Sequence, residues 1–475
     1  MRETAHTKAK IALSILMIIG GATPWGLAQS RPTAPDLHSC RYSDQVYDSD
    51  DSLMRQKVPT HFRLMTSRYV QIVQAARGRN CTGTATVAFN GHNYTQAGMS
   101  DDPGIAQLIP NISSFLGLPL GRTFDLSALA VISIGILIGY AGFWRSYPDR
   151  RVRWAGATVF LFLGLAEAKV ADVYIFQTSP LIAGIPWVLH FALRRRFFAL
   201  YASAALLAFC CAWCSLVRIG TTPICMVFLV TLFIGRCRVH KIFLPLLLIL
   251  LACLPPMLVE RHLIARRDAL LASLGGTATA VNNHPIWHAI YAGLGFVPNS
   301  EVPAFNDSIA MEKVRSIDPT VPYTSPKYEA ILRREVLRMA KHKPMLLIEN
   351  LAAKTGIVFL SALILLFPAR RLLFAEREVL WLDAAFVLAI GLSAMNAILV
   401  VPKVPYMLTF FCLTFLYSSV KLCRERFLST WNKTPLFSDD HDYGMLSGGQ
   451  SNAGANTVAE SNTGDCRSRL QVGNG

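Results

Sequence analysis

Apolar runs of span length alternate with basic clusters along most of this chain, and that alternation dictates the fold class. The runs fall at about 11–28, 124–144, 154–170, 178–193, 197–217, 219–235, 242–259, 350–368, 379–400 and 404–420. Several are short enough to depend on tilt or on burial by neighbours. Between alternate runs stand Arg2/Lys8/Lys10, Arg145/Arg150/Arg151/Arg153, Arg194 to Arg196, Arg236/Arg238/Lys241, Arg370/Arg371/Arg377 and Lys421/Arg424/Arg426. Cation-rich connections stay on the cytoplasmic side, so every second connection and both termini are expected there. The expectation is an all-α polytopic membrane protein: about ten transmembrane helices, with two large external loops that contain interfacial amphipathic helices. A chain of 475 residues that is 52% hydrophobic and 16% charged carries more apolar surface than a soluble core of that size needs. The net charge of +16 is dispersed in short clusters rather than on one face, so it reads as topology, and no nucleic-acid partner is expected.

The expected organisation follows from these runs. Residues 1–28 form a first transmembrane helix or signal anchor; the apolar run ending in Gly-Leu-Ala also fits a cleavable signal peptide, with Pro24 and Trp25 making a poor cleavage region. An external loop covers 29–123, transmembrane helices two to seven cover 124–259, a second external loop covers 260–349, and helices eight to ten cover 350–420. The segment 421–475, rich in Ser, Asn and Gly towards its end, is expected as a disordered cytoplasmic tail. Most cysteines, such as Cys211 and Cys253, fall in apolar runs and act as small hydrophobes. Cys40 and Cys81 share the first external loop, where pairing and an unpaired thiol are both open.

Ionisable residues at the edges of the spans mark where chemistry is to be sought, because burial of unpaired charge near lipid is costly. Asp101 and Asp102 precede Ile105, Leu108, Ile109, Ile112 and Leu116, whose spacing predicts a helix with one apolar face. Pro103 suits its first turn, Ser100 or Asp102 its cap, and Pro110 is expected to kink or interrupt it. One carboxylate suffices as a cap, and here there are two. The helix is expected to lie in the membrane interface with the aspartates facing the mouth of the bundle. A second helix of this loop follows from Phe62, Met65, Tyr69, Ile72, Val73 and Ala76, read as packing for an external cap.

Between the third and fourth spans stand Glu167, Lys169 and Asp172; Glu167 and Lys169 are read as a local pair, which leaves Asp172 as a second functional acid. Arg218, between the fifth and sixth spans on the external side, runs against the orientation rule, although an arginine at a span end also snorkels. In the second loop, Asn283 and Pro285 start a short helix carrying His284, Trp287, His288 and Tyr291. No acid intervenes between the histidines as in a zinc helix, so metal ligation is the weaker reading. Exposed rings and imidazoles suit a sugar or phosphate platform. The loop ends in an amphipathic helix with Tyr328, Ile331, Leu332, Glu335, Val336 and Met339 on one side and Arg333, Arg334, Arg338, Lys341 and Lys343 on its basic face, read as lying beside anionic membrane lipid.

About ten spans, an acidic pair before an interfacial helix, an acid after the third span and a large loop before the last three spans together resemble the GT-C superfamily of integral-membrane glycosyltransferases. SDDPGIAQLIPNISSFLG and HPIWHAIYAGLGF look like segments of poorly characterised bacterial members near it. The resemblance covers roughly residues 11–420; the first loop is longer than usual. It implies an inverting glycosyltransferase in a bacterial inner membrane that moves a sugar from a polyprenyl-phosphate donor to a hydroxyl of a lipid or glycan acceptor. By the same resemblance, Asp101 or Asp102 is the base, Asp172 orients the acceptor or a metal, and Arg218, His284 or His288 contacts the phosphate, with Trp287 beside the sugar. A divalent metal, Mg or Mn, is compatible but not required. The competing class is a transporter or flippase of a lipid-linked saccharide, which would more often show inverted repeats and broken helices.

Overall fold

The computed structural model describes residues 60–89, 94–97, 103–147, 149–194, 196–236, 239–274, 286–323, 325–372 and 380–423. The first apolar run, Cys40, the Asp101/Asp102 pair, His284 and the C-terminal tail lie outside the described residues, and so do the expectations that rest on them.

The segment before the bundle forms helix α1 (Thr66–Thr82), a two-stranded antiparallel hairpin β1 (Val87–Phe89) and β2 (Tyr94–Gln96), and helix α2 (Pro103–Leu116). The hairpin is an addition to the all-α expectation. Gly83 closes α1 in the left-handed conformation, its N–H bonding the Arg79 carbonyl, as a residue without Cβ allows. The bundle then comprises α3 (Leu120–Ser146), α4 (Arg150–Val170), α5 (Tyr174–Leu193), α6 (Phe197–Val217), α7 (Thr221–Arg236) and α8 (Val239–Ser273). Three shorter helices follow, α9 (Ile286–Gly293), α10 (Asp307–Ile317) and α11 (Pro326–His342), before α12 (Pro344–Leu366), a short 3-10 turn, α13 (Leu380–Leu399) and α14 (Val404–Leu422).

Six of these helices, α3, α5, α6, α8, α12 and α13, are long and apolar enough to cross a membrane, and the protein is a multi-pass helical membrane protein. The other three helices at expected spans fall short for identifiable reasons. α4 opens with Arg150, Arg151 and Arg153; α7 has only 16 residues; α14 carries Thr409, Thr414, Tyr417, Ser418 and Ser419. Those hydroxyls suit an inner position, where Thr409 bonds Thr178 of α5 at 2.8 Å rather than facing lipid. α5 is the most enclosed of the six, with 78% of its apolar window buried, and α12 the least, with 11%. α3 reaches α5 closely because Gly135 and Gly139 face it: a Cβ at Gly139 would stand 2.4 Å from the Ile182 carbonyl oxygen.

The two ends of the bundle differ. At one end, Arg194 donates to the Arg145 carbonyl at 3.3 Å, Arg153 donates to the Tyr147 carbonyl at 2.7 Å, and Lys421 pairs with buried Asp383. The described clusters around Arg145 and Arg194, expected to share one side, do so. At the other end lie the α4–α5, α6–α7 and α13–α14 turns, together with the described parts of both large connecting segments. The last turn of α8 joins them there, Leu271 packing with Val87 and Tyr94 of the hairpin. The expected second loop therefore begins inside a helix, since α8 runs unbroken past residue 259 despite Pro245, Pro255 and Pro256.

Two local expectations are corrected. The apolar face of α2 is not its only covered one: residues 104–110 are buried on every side, between α1, α3 and α6, and Pro110 does not interrupt the helix. Glu167 does not pair with Lys169; side chains two apart leave a helix on different faces, and the Glu167 carboxylate turns inward to the Ser179 hydroxyl at 2.6 Å.

Candidate functional site

The turn between α4 and α5 contains three residues, Ala171 to Val173. Ala171 takes φ 33° in the left-handed region, its N–H returning to the Glu167 carbonyl at 2.7 Å. A non-glycine there costs roughly 1–2 kcal/mol. The strain yields a sharp reversal that aims Asp172 across the start of α5 instead of into solvent. One Asp172 oxygen accepts from the Val173 N–H at 2.8 Å and the other from the Arg68 guanidinium of α1 at 2.5 Å. Both side chains of that pair are buried.

Tyr174 begins α5 and gathers three more groups. The Arg218 guanidinium lies 4.5 Å from its ring centroid and donates to its hydroxyl at 3.1 Å; Arg68 lies 5.6 Å from the same ring; Tyr406 of α14 meets it edge-on at 5.4 Å. Arg218 reaches this position because the chain leaves α6 in an extended conformation there and reverses at Gly220, φ 116°, against Gln177. A Cβ at Gly220 would approach the Gln177 amide to 3.0 Å in a backbone conformation that side chains rarely adopt. The N-terminus of α2 docks on the same turn. A Cβ at Gly104 would fall 2.1 Å from the Leu216 carbonyl oxygen and 2.6 Å from the Val217 Cα. The structure thus joins two of the expected site residues, Asp172 and Arg218, through Tyr174 and Arg68. Asp101 and Asp102 immediately precede α2 in sequence and lie outside the described residues.

An apolar groove of about 900 Å³ lies between α3, α5 and α6. Its lining runs along α5 from Phe176, two residues after Tyr174, to Phe191, and along α6 from Cys214, one turn before Arg218, to Phe198. Fifteen residues of helix make it roughly 22 Å long. The groove therefore begins at the level of Phe176 and Cys214, in the half of the bundle that holds the two arginines but without their side chains in its wall, and extends towards the opposite, cation-rich end.

His288 and Trp287 serve another purpose. The Glu329 carboxylate accepts from the N–H groups of Trp287 and His288 at 2.8 and 3.1 Å, capping α9 from α11. The two His288 ring nitrogens meet the Tyr328 hydroxyl at 2.8 Å and an Asp307 oxygen at 3.3 Å. His288 and Tyr291 are buried in the core of α9, α10 and α11, and Trp287 is half-buried with Arg333 near its ring. The expected exposed platform is not formed by these rings, because α10 and α11 close over them. The stripe expected on α11 does pack there: Tyr328, Ile331, Leu332, Val336 and Met339 are buried, behind a Ser325 cap and Pro326 in the first turn. Part of its basic face is used internally, Arg338 pairing with Glu301 and Glu335. Lys403, at the start of α14, lies 4.5 Å from the Phe305 ring, so this subdomain sits at the Tyr406 end of the bundle.

Among the described residues no three of His, Cys, Asp or Glu converge as a metal site requires, and both Asp172 oxygens are engaged by Arg68 and Val173. Arg68, Tyr174 and Tyr406 were not anticipated. A signal existed for Arg68: it stands between Met65, Tyr69 and Ile72 on the apolar stripe of its helix, where a cation needs an inward partner.

No family model matches the chain, and no curated protein or solved structure matches it either. What the fold and the site define is a class: a multi-pass helical membrane protein with a buried arginine–tyrosine cluster at one end of the bundle and an apolar groove between α3, α5 and α6.

Proposed function

We propose that the protein is a membrane glycosyltransferase of the GT-C kind, acting on the external face of a bacterial inner membrane, with both termini cytoplasmic and about ten spans. The observation that carries the reading is Arg218 and Arg68 converging on Tyr174, two residues along α5 from Phe176, where the lining of the groove starts. An apolar channel with guanidinium groups near one end suits a long isoprenoid chain ending in phosphate, since guanidinium binds phosphate oxygens in a charge-assisted, bidentate manner. The collection of the described basic clusters at the far end supports the orientation.

In this reading the donor's chain lies in the groove and its phosphate meets Arg218, displacing the Tyr174 hydroxyl that occupies the guanidinium in this structure. The acceptor oxygen attacks the anomeric carbon from the face opposite the phosphate as the carbon–oxygen bond to phosphate breaks. The acceptor's proton passes to Asp101 or Asp102, and polyprenyl phosphate leaves with its charge held by arginine. Asp172 orients Arg68, a role closer to its geometry than direct contact with acceptor or metal.

The test is binding of a polyprenyl phosphate to the purified full-length protein. Arg218→Ala should weaken it about 10- to 100-fold, the value of a charge-assisted hydrogen bond. Ala202→Trp, which projects into the groove, should do likewise, and Arg151→Ala at the opposite end should change nothing. Equal affinity in all four proteins would contradict the reading.

A further inference from the structure

Glu167 is fully buried in α4, one turn from its end, and among the described residues no Lys, Arg or His acts on it. Its Oε1 shares a hydrogen bond of 2.6 Å with the Ser179 hydroxyl, the acid donating when it is protonated and accepting when it is ionised, and among the described residues its buried Oε2 has no hydrogen-bond partner. The titratable group facing it from α14 is Cys412, which brings no positive charge. An uncompensated carboxylate in such surroundings is far costlier than the neutral acid, so the resting form carries the proton. A glutamine would satisfy the same space without that constraint.

Ser179 is itself part of the groove wall, opposite Gly135, where a Cβ would crowd it to 3.0 Å. The next residue, Pro180, has no N–H, so the Phe176 carbonyl of the groove wall loses its helical donor. A hydroxyl, and three residues before it a carbonyl without helical donor, give water a foothold in an otherwise apolar groove.

We infer that Glu167 is a proton-exchanging acid served from the groove through the Ser179 hydroxyl, and that a chain filling the groove locks its proton in place. A proton arriving on Ser179 from groove water moves the serine's own proton to Oε1, and the reverse sequence releases it; Ser179 keeps one proton throughout. The inference requires only the groove and stands whether or not sugar transfer takes place.

The test uses the full chain in membranes and a hydrophobic carbodiimide. The protonated carboxyl adds across one C=N bond of the reagent, its oxygen to carbon and its proton to nitrogen, and the adduct rearranges to a stable acylurea found by peptide mass. Glu167 should be modified, and Glu167→Gln should lose that adduct alone. Geranylgeraniol, which has a chain and no phosphate, should slow the modification about ten-fold when the groove is nine-tenths filled. Because the filler lacks phosphate, a protein that fails to bind polyprenyl phosphate still answers this test. An unmodified Glu167 in a sample labelled at other carboxyls, or a rate indifferent to geranylgeraniol, would overturn the inference.

Discussion

Arg68 and Asp172 are separated by 104 positions and meet at 2.5 Å, both side chains buried, tying the first connecting segment to the turn between α4 and α5. Removal of one partner leaves the other charge buried without this ion pair, a loss of about 3–5 kcal/mol. Arg68→Ala and Asp172→Ala should each lower the thermal midpoint in detergent clearly. Arg68→Met combined with Asp172→Leu should recover much of the loss. Single variants that melt like the wild type would show that the pair holds nothing together.

Tyr174→Phe retains the ring beneath both guanidinium groups and removes only the hydroxyl that Arg218 binds. If that hydroxyl holds the place of a phosphate oxygen, its loss should tighten polyprenyl-phosphate binding about two- to ten-fold, the worth of one neutral hydrogen bond. Weaker binding would instead make the hydroxyl part of the binding surface.

Gly104→Val places a branched side chain against the backbone of Leu216 and Val217, which cannot step aside as a flexible side chain would. α2 should separate from α6, at a cost of about 1–3 kcal/mol or more, and the Arg218 turn should shift with it. The thermal midpoint and polyprenyl-phosphate affinity should therefore fall together. A drop in neither measure would mean that the helix does not seat there.

The subdomain of α9 to α11 should loosen in acid. Lys343 first and then Arg338 hold the Glu301 carboxyl below the usual carboxylate range, and Lys327 followed by Thr320 holds Asp318 at about 2. Both folded-state values are depressed, so the stabilisation is present above about pH 4 and is lost as pH falls towards the folded-state value. For Asp318 the window runs from about 4 down to about 2. Thermal midpoints measured across that window should decline less for Glu301→Gln/Asp318→Asn than for the wild type. Parallel declines would remove these two groups from the account.

Much of the helical plan was legible because apolar runs announce themselves: the run at 197–217 is α6, and 379–400 differs from α13 by one residue at each end. Asp172 and Arg218 were legible as charges at costly depth, and the structure joins them. Arg68 was visible only as a misplaced cation, since nothing local points to a partner 104 residues away. His288 was misjudged as exposed for the same reason: Asp307 and Tyr328, which enclose it, belong to other helices. The groove was beyond sequence reading because it arises from the relative placement of three helices, each of which looks uniformly apolar.

The central claim, transfer of a sugar from a lipid-linked donor, is tested most directly by following a labelled sugar. Purified protein in vesicles is given polyprenyl-phosphate sugar labelled in the sugar ring, with acceptor lipid and glycan, and the products are separated after extraction. The account predicts label on an acceptor with stoichiometric release of polyprenyl phosphate, reduced about 10²–10⁴-fold when the base among Asp101 and Asp102 is replaced by Asn. Label that stays on intact donor and merely changes sides of the vesicle would contradict it and identify a lipid-linked saccharide transporter.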